Sequence, residues 1–353
     1  MTENKKLAFV VTSMGRGGAE RVVSILSNYY ANIGWDVTII MLWHNKVGYA
    51  LDEKIKILNL SDDKKSFKKQ LGTVLFKLIK QLKEIKPDVV VSFIAENCPV
   101  ADIACKLAKV RHITSERIDP GAVKRNMVIQ KAINFFYKRC DCVVFQTERA
   151  KKFYSEKIQR KSVVIGNPVQ VSQDVAEIKK NKIVSAGRLE KQKNHKMLIS
   201  SFAKVCKKYP NYVLEIYGEG KLRAELQEHI KHLNVENNVF LKGNVAGLHQ
   251  EINDAQIFVL SSNYEGLSNA LLEAMMLELA CVSTECAGSD EVIVNGENGL
   301  LVPVGDENAL EKAIVSLIEN ESLRDKISAN GKKSVEKFKT ENIINLWAKV
   351  IGL

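Results

Sequence analysis

Short apolar runs recur along the chain, and longer stretches with apolar residues three and four positions apart lie between them. In the first half the runs fall at residues 7–12, 36–42, 55–60, 88–92, 111–114 and 142–146, with a further short one at 162–165. In the second half they fall at 182–186, 212–217, 239–241, 257–260 and 282–284. Runs of this length predict strands buried on both faces, as in a parallel sheet. Helical spacing marks 18–32, 66–85, 95–108, 148–157, 221–233 and 270–276, the stretch entering a helix through 202, a region from 307 and a last segment at 342–351. Strand and helix alternate in both halves, which predicts an α/β protein built on parallel sheets.

The alternation breaks once. Gly166-Asn167-Pro168 opens a polar stretch to residue 182 without periodicity, the predicted domain boundary. A chain of 353 residues is expected to form two domains, here 1–168 and 169–340. No apolar run approaches the roughly 18 residues of a membrane span. Lys5-Lys6 ahead of an apolar run imitates a signal peptide, but 7–11 is too short for one and reads as a strand.

Seven scattered cysteines with no C-x-x-C pair predict reduced thiols and a cytosolic location. Cys140 and Cys142 point opposite ways on a strand, and His229 and His232 share a helix face without a third ligand, so no metal site is expected. The net charge of +11 is distributed unevenly. Residues 1–170 hold 30 basic against 16 acidic side chains, a balance of +14, and the remainder holds 22 against 25, a balance of −3. That asymmetry predicts an anionic partner for the first half: nucleic acid, a phosphorylated substrate or anionic lipid. Segment 123–139 sets Val128, Ile129, Ala132, Ile133, Phe135 and Phe136 among Lys124, Arg125, Lys131, Lys138 and Arg139. It suits the surface of an anionic leaflet, and equally a core helix with a solvated face. No nucleic-acid-binding module or stacking platform is present, so nucleic acid is not an expected partner.

The chemistry concentrates at 256–274. An apolar strand at 257–260 runs into a polar loop with Gly266, and Ser268 then caps a helix over 270–276. Free N–H groups at such a helix start bind anions. Glu265 and Glu273 bracket the anion site, as suits a sugar nucleotide: one carboxylate for sugar hydroxyls, the other for ribose hydroxyls. The plainer alternative is a helix cap and a solvated helix residue. Upstream, Arg188 offers a planar donor pair and Lys193 a point charge, both suited to a diphosphate. Gly17-Gly18 opens the first helix beside Arg16 and Arg21, without the Rossmann glycine spacing. Ser115-Glu116-Arg117 follows the strand at 111–114, where strands of open α/β sheets present ligand-binding residues. Glu116 is the candidate acceptor base and Arg117 a candidate phosphate ligand, with a loop-shaping ion pair as the alternative.

Tyr264-Glu265-Gly266-Leu267-Ser268 followed by Leu272-Glu273-Ala274 resembles the paired-glutamate signature of glycosyltransferase family 4. Gly288-Ser289-Asp290-Glu291-Val292-Ile293, Asn295-Gly296 and Asn298-Gly299-Leu300-Leu301-Val302-Pro303 continue its pattern in order and spacing. Gly187-Arg188-Leu189 with Lys193-Asn194 is similar to the family's diphosphate-binding stretch. The resemblance implies the GT-B fold, two facing Rossmann-like domains with a cleft between them and a C-terminal helix, 341–353, that crosses back to the first domain. It implies donor contacts from Gly17, Gly18, Gly187, Arg188, Lys193, Gly218, Glu219, Asn244, Glu265, Gly266, Leu267, Ser268, Asn269 and Glu273, with catalysis by Glu265, Arg188, Lys193 and Glu116. The acceptor would meet Ser115, Glu116, Arg117, Lys124 and Arg125; many relatives place a histidine near here, where this chain offers Ser115, Glu116 and Arg117 instead.

The resemblance implies a retaining, metal-independent enzyme with a UDP-sugar as co-substrate and no other cofactor. It would move a hexose or N-acetylhexosamine to a saccharide acceptor, a polyprenyl-diphosphate-linked glycan of bacterial surface polysaccharide or glycoprotein synthesis. The enzyme would then work peripherally on the inner face of the cell membrane. A sugar-nucleotide 2-epimerase or a non-catalytic partner subunit on the same fold are the alternatives. One departure concerns the turn after the signature helix, where Leu277-Glu278-Leu279-Ala280 lacks the family's usual glycine and proline.

Overall fold

In a computed structural model the chain is described over residues 5–15, 17–62, 67–123, 125–170, 180–245, 247–286 and 288–352. It divides into two compact units, Met1–Pro168 with Glu341–Leu353, and Val169–Thr340.

The first unit carries β1 (Lys6–Val11), β2 (Asp36–Met41), β3 (Lys56–Asn59), β4 (Val89–Phe93), β5 (Arg111–Ser115), β6 (Cys142–Phe145) and β7 (Ser162–Val164). They pair in parallel in the order β3-β2-β1-β4-β5-β6-β7. Both faces are covered, which is why these runs read as continuously apolar. On one face, Val74, Leu78 and Leu82 of the Phe67–Ile85 helix and Ala101 and Ala104 of the Cys98–Ala108 helix cover Ala8, Val10 and Val90. Phe9 points the other way and meets Phe93, which stacks on Trp347 of the Thr340–Ile351 helix. Arg111 ties that last helix down by donating to the carbonyls of Val350 and Ile351, each at 2.7 Å.

The second unit carries β8 (Lys180–Ala186), β9 (Val213–Tyr217), β10 (Val239–Gly243), β11 (Ala255–Leu260), β12 (Ala280–Thr284) and β13 (Leu300–Val302). Its order is β10-β9-β8-β11-β12-β13, again parallel. Ile257 and Val259 face Leu198, Phe202 and Leu310, whereas Phe258 and Leu260 face Leu271, Leu272 and Met275. This is the alternation of side chains along a strand sandwiched between helices.

In each unit the strand order reverses once, between β1 and β4 and between β8 and β11. Open α/β sheets bind ligands at the carboxyl ends of the strands at this reversal.

Three local differences from the sequence reading have physical causes. The helix expected over 148–157 is two short ones, Glu148–Lys152 and Glu156–Gln159, because Ser155 takes an extended, cap-like conformation between them. Among its described residues the basic segment 123–139 is helical over Met127–Tyr137, with the Asn126 side chain accepting from the Val128 N–H. The turn lacking glycine is made by Glu278 itself in the left-handed region, φ 57°, with its carboxylate on Lys332 at 2.7 Å. Among the described residues no helix is long and apolar enough to cross a membrane.

Candidate active site

At the β8/β11 reversal, loop 187–194 is sewn to loop 261–268. The Asn263 N–H donates to the Gln192 carbonyl at 2.8 Å, the Asn263 amide to the Lys191 carbonyl at 2.7 Å, and the Ser261 hydroxyl to the Lys193 carbonyl at 2.9 Å. This brings the Lys193 ammonium to 2.5 Å from Glu265 Oε1, which also accepts from the Ser262 hydroxyl at 2.7 Å. The pair is largely enclosed, with side chains 14% and 9% exposed. Gln192 bridges outward: its amide donates to the Tyr264 carbonyl at 3.1 Å, and its carbonyl accepts from Arg188 Nη2 at 3.3 Å. Arg188 itself reaches solvent, 62% exposed, with Glu190 at 3.5 Å. One loop pair thus holds an enclosed cation–carboxylate couple and an exposed guanidinium on its rim.

Two close backbone approaches make this possible. A Cβ on Gly218, whose φ is +133°, would lie 2.1 Å from the Gly187 carbonyl oxygen, so the β9 loop packs directly on the Arg188 loop. A Cβ on Gly288 would lie 1.8 Å from the Gly266 carbonyl oxygen, so the β12 loop packs on the Glu265 loop. Glu219 and Asn244 follow β9 and β10 on the same carboxyl edge, both exposed, with Glu219 paired to Arg223 at 2.7 Å.

Ser268 caps the Asn269–Met276 helix as expected, accepting from the Leu271 N–H at 3.4 Å. Glu273 is buried, not solvated, and its Oε2 lies 3.2 Å from Nε2 of His249. His249 sits on the short Leu248–Ile252 helix. Sequence reasoning missed both the histidine and its helix, since neither is local to the signature.

His195, the first residue of the His195–Lys208 helix, is buried two positions from Lys193. Burial, with the Lys193 charge added, pulls its imidazole down to about 4. Unfolded histidine takes a proton below about 6.5. Above that value both states are neutral and the group contributes no pH dependence. As pH falls from there to about 4 the unfolded chain binds the proton first and stability drops, by about 3 kcal/mol in all. His195→Gln should remove this loss, seen as a smaller difference between urea midpoints at about pH 7 and about pH 4.

The first unit corrects several expectations. Glu116 follows β5 but is 1% exposed. Its oxygens accept from Arg125 at 3.0 and 3.3 Å, from the Tyr137 hydroxyl at 3.1 Å and from the Tyr154 hydroxyl at 2.8 Å. Burial keeps both tyrosines protonated and donating. A carboxylate so saturated anchors its loop and is not free to serve as acceptor base. Arg125 is likewise consumed, by Glu116 and by Glu96 at 2.9 Å, and is not an open acceptor cation. Burial alone would lower the Arg125 pKa; its two carboxylates raise it.

Ser115 is buried and bonded to the Val144 carbonyl at 3.3 Å. Arg117 lies over the rings of Phe93 and Trp347, 4.9 and 5.5 Å away, and donates to Asn167 at 3.1 Å. Its burial pulls the guanidinium down to about 9. Gly17 caps the Gly18–Asn32 helix at the β1/β4 reversal, and its carbonyl accepts from the Tyr49 hydroxyl at 3.0 Å. Arg16 and Lys124 lie outside the described residues.

One cluster imitates a hydrolase site. Ser92 Oγ is 2.9 Å from His112 Nε2, and His112 Nδ1 is 3.7 Å from Asp102 Oδ1. All three are fully buried within the first unit, and Ser92 also bonds Thr114 at 3.0 Å. With no exposed nucleophile, the trio is a core network. Burial would raise the Asp102 pKa, but His112 and Arg139 outweigh it and keep the carboxyl below its ordinary value.

Comparison with known proteins agrees with this architecture. The family model described as Glycosyltransferase Family 4 matches residues 16–173, and the one described as Glycosyl transferases group 1 matches residues 170–334. The chain is 27% identical over 352 residues to an uncharacterized glycosyltransferase of Haemophilus influenzae, covering 98% of this chain and 100% of that one. It is 28% identical over 363 residues to the GalNAc-alpha-(1->4)-GalNAc-alpha-(1->3)-diNAcBac-PP-undecaprenol alpha-1,4-N-acetyl-D-galactosaminyltransferase of Campylobacter jejuni, covering 98% of each. Among solved structures, Anabaena HepE in complex with UDP and glucose superposes with a TM-score of 0.83 at 18% identity, covering 99% of this chain and 100% of that one. With a matching family model on each unit and two parallel Rossmann-like sheets, the chain belongs to the family 4 glycosyltransferases of the GT-B fold.

Proposed function

We propose that the chain is a retaining, metal-independent glycosyltransferase that takes a hexose or N-acetylhexosamine from a UDP-sugar. One observation carries the reading: Arg188, Lys193, Glu265 and the start of the Asn269–Met276 helix converge at the β8/β11 reversal. As the bond from the anomeric carbon to the diphosphate breaks, negative charge collects on the leaving group. The exposed Arg188 guanidinium, the Lys193 ammonium and the first-turn N–H groups are the partners for it. Substrate binding would draw Lys193 from Glu265 toward phosphate and leave the carboxylate to accept sugar hydroxyls. Glu273, held by His249, would take the ribose hydroxyls. With Glu116 occupied, the departing diphosphate oxygen is left to accept the acceptor hydroxyl's proton. Attack and departure then share one face of the sugar, and configuration is retained.

The first unit would receive the acceptor, a polyprenyl-diphosphate-linked saccharide, on the inner face of the cell membrane. Support comes from the +14 balance of residues 1–170 and from the Campylobacter relative named for a PP-undecaprenol acceptor. HepE, solved with UDP, supports the choice of nucleotide. UDP is expected to raise the thermal midpoint, with stabilisation of about 2.7 kcal/mol at a hundred times its Kd, and GDP and ADP much less. The absence of a UDP shift, or a larger one with GDP or ADP, would sink the donor assignment.

A further inference from the structure

We propose that the outer face of the Met127–Tyr137 helix docks on an anionic lipid bilayer. At 100° per residue, Met127, Lys138, Lys131, Phe135 and Val128 follow one another around an arc of about 100°. Met127, Val128 and Phe135 are 70%, 74% and 55% exposed, and Lys131 and Lys138 are exposed between them. Among the described residues neither lysine is paired with an acidic side chain. Ile133 and Tyr137, on the opposite side, hold the helix to the unit's core. Three large apolar side chains interleaved with free ammonium groups match the acyl boundary and headgroup layer of a charged leaflet. They suit a second copy of this chain poorly, because residues 1–170 carry a +14 balance that repels its like.

The helix start is also fixed in place. Arg125, just ahead of it, is clamped by Glu96 and Glu116, which follow β4 and β5. A bilayer on this face therefore lies beside the carboxyl edge of the first sheet. A lipid-diphosphate acceptor would emerge at that edge; this purpose rests on the proposed function, whereas the docking itself does not.

The full chain is to be sedimented with vesicles of phosphatidylcholine alone or with about one-third phosphatidylglycerol. Wild type should pellet with the anionic vesicles and stay in solution with the neutral ones. Met127→Ser with Val128→Ser and Phe135→Ser should lower partitioning at least about tenfold, and Lys131→Glu with Lys138→Glu comparably at low salt. Both variants should keep the wild-type circular dichroism and UDP-induced midpoint shift, so that lost binding is not lost folding. Wild type remaining in solution with anionic vesicles, or the apolar triple variant pelleting like wild type, overturns the proposal. So does a triple variant that turns a dimer into a monomer, since the face then belongs to a second copy. Vesicle binding without any UDP response would support the docking and remove the donor assignment alone.

Discussion

Lys193→Met is expected to lower kcat/KM for the sugar donor about a thousandfold and to destabilise the second unit by about 3 kcal/mol. The two losses have different origins. Activity falls because the Lys193 ammonium, a proposed partner of the leaving diphosphate, is gone. Stability falls because Glu265, 9% exposed, keeps among the described residues only the Ser262 hydroxyl and a long 3.5 Å contact from Gln192. A buried carboxylate stripped of its cation costs more than the intact couple ever contributed. Lys193→Met combined with Glu265→Gln should therefore recover most of the stability, to within about 1 kcal/mol of wild type, and none of the activity. Urea denaturation and donor kinetics on the three proteins make the comparison. A single variant that keeps kcat/KM within about tenfold of wild type would remove Lys193 from the leaving-group site.

Trp347→Ala should cost the first unit about 4 kcal/mol, and Trp347→Phe about half of that. The indole is fully buried, stacks on Phe93 at 5.8 Å and forms one wall of the slot that holds Arg117. Alanine leaves a void there and opens one face of a buried guanidinium. Two units need not melt together, so the probe matters. All three tryptophans, Trp35, Trp43 and Trp347, belong to the first unit, and their fluorescence follows it alone. In either substitution the remaining pair still reports. A fluorescence midpoint unchanged in Trp347→Ala would mean the last helix is not part of that unit's core.

The sheets and the Glu265 loop were legible in sequence because their signals are local. Buried parallel strands such as β1 and β11 are unbroken apolar runs, and Ser268 ahead of a helix-forming stretch announces its cap. Where structure depends on partners distant in sequence, the reading failed. Glu116 looked like a cleft residue because nothing nearby shows that Tyr137 and Tyr154 will turn their hydroxyls on it. Of the two readings of Glu273, ribose ligand or solvated helix residue, the second fails: its neighbour His249 lies on a five-residue helix with no periodicity to mark it. β13 is only three apolar residues, Leu300–Val302, two of them half-exposed, too short a run to mark a strand by itself. Lys193 and Glu265 were legible as neighbours of one site, but their direct pairing was not.

The first unit is discontinuous in sequence: its core is completed by Trp347, nearly two hundred residues after the chain has left it at Pro168. During synthesis the second unit, one continuous segment, is whole as soon as residue 340 has emerged. The earlier-made half must wait for the last helix to leave the ribosome before Arg111 and Phe93 find their partners. The two units are thus completed in the reverse of the order in which their synthesis begins.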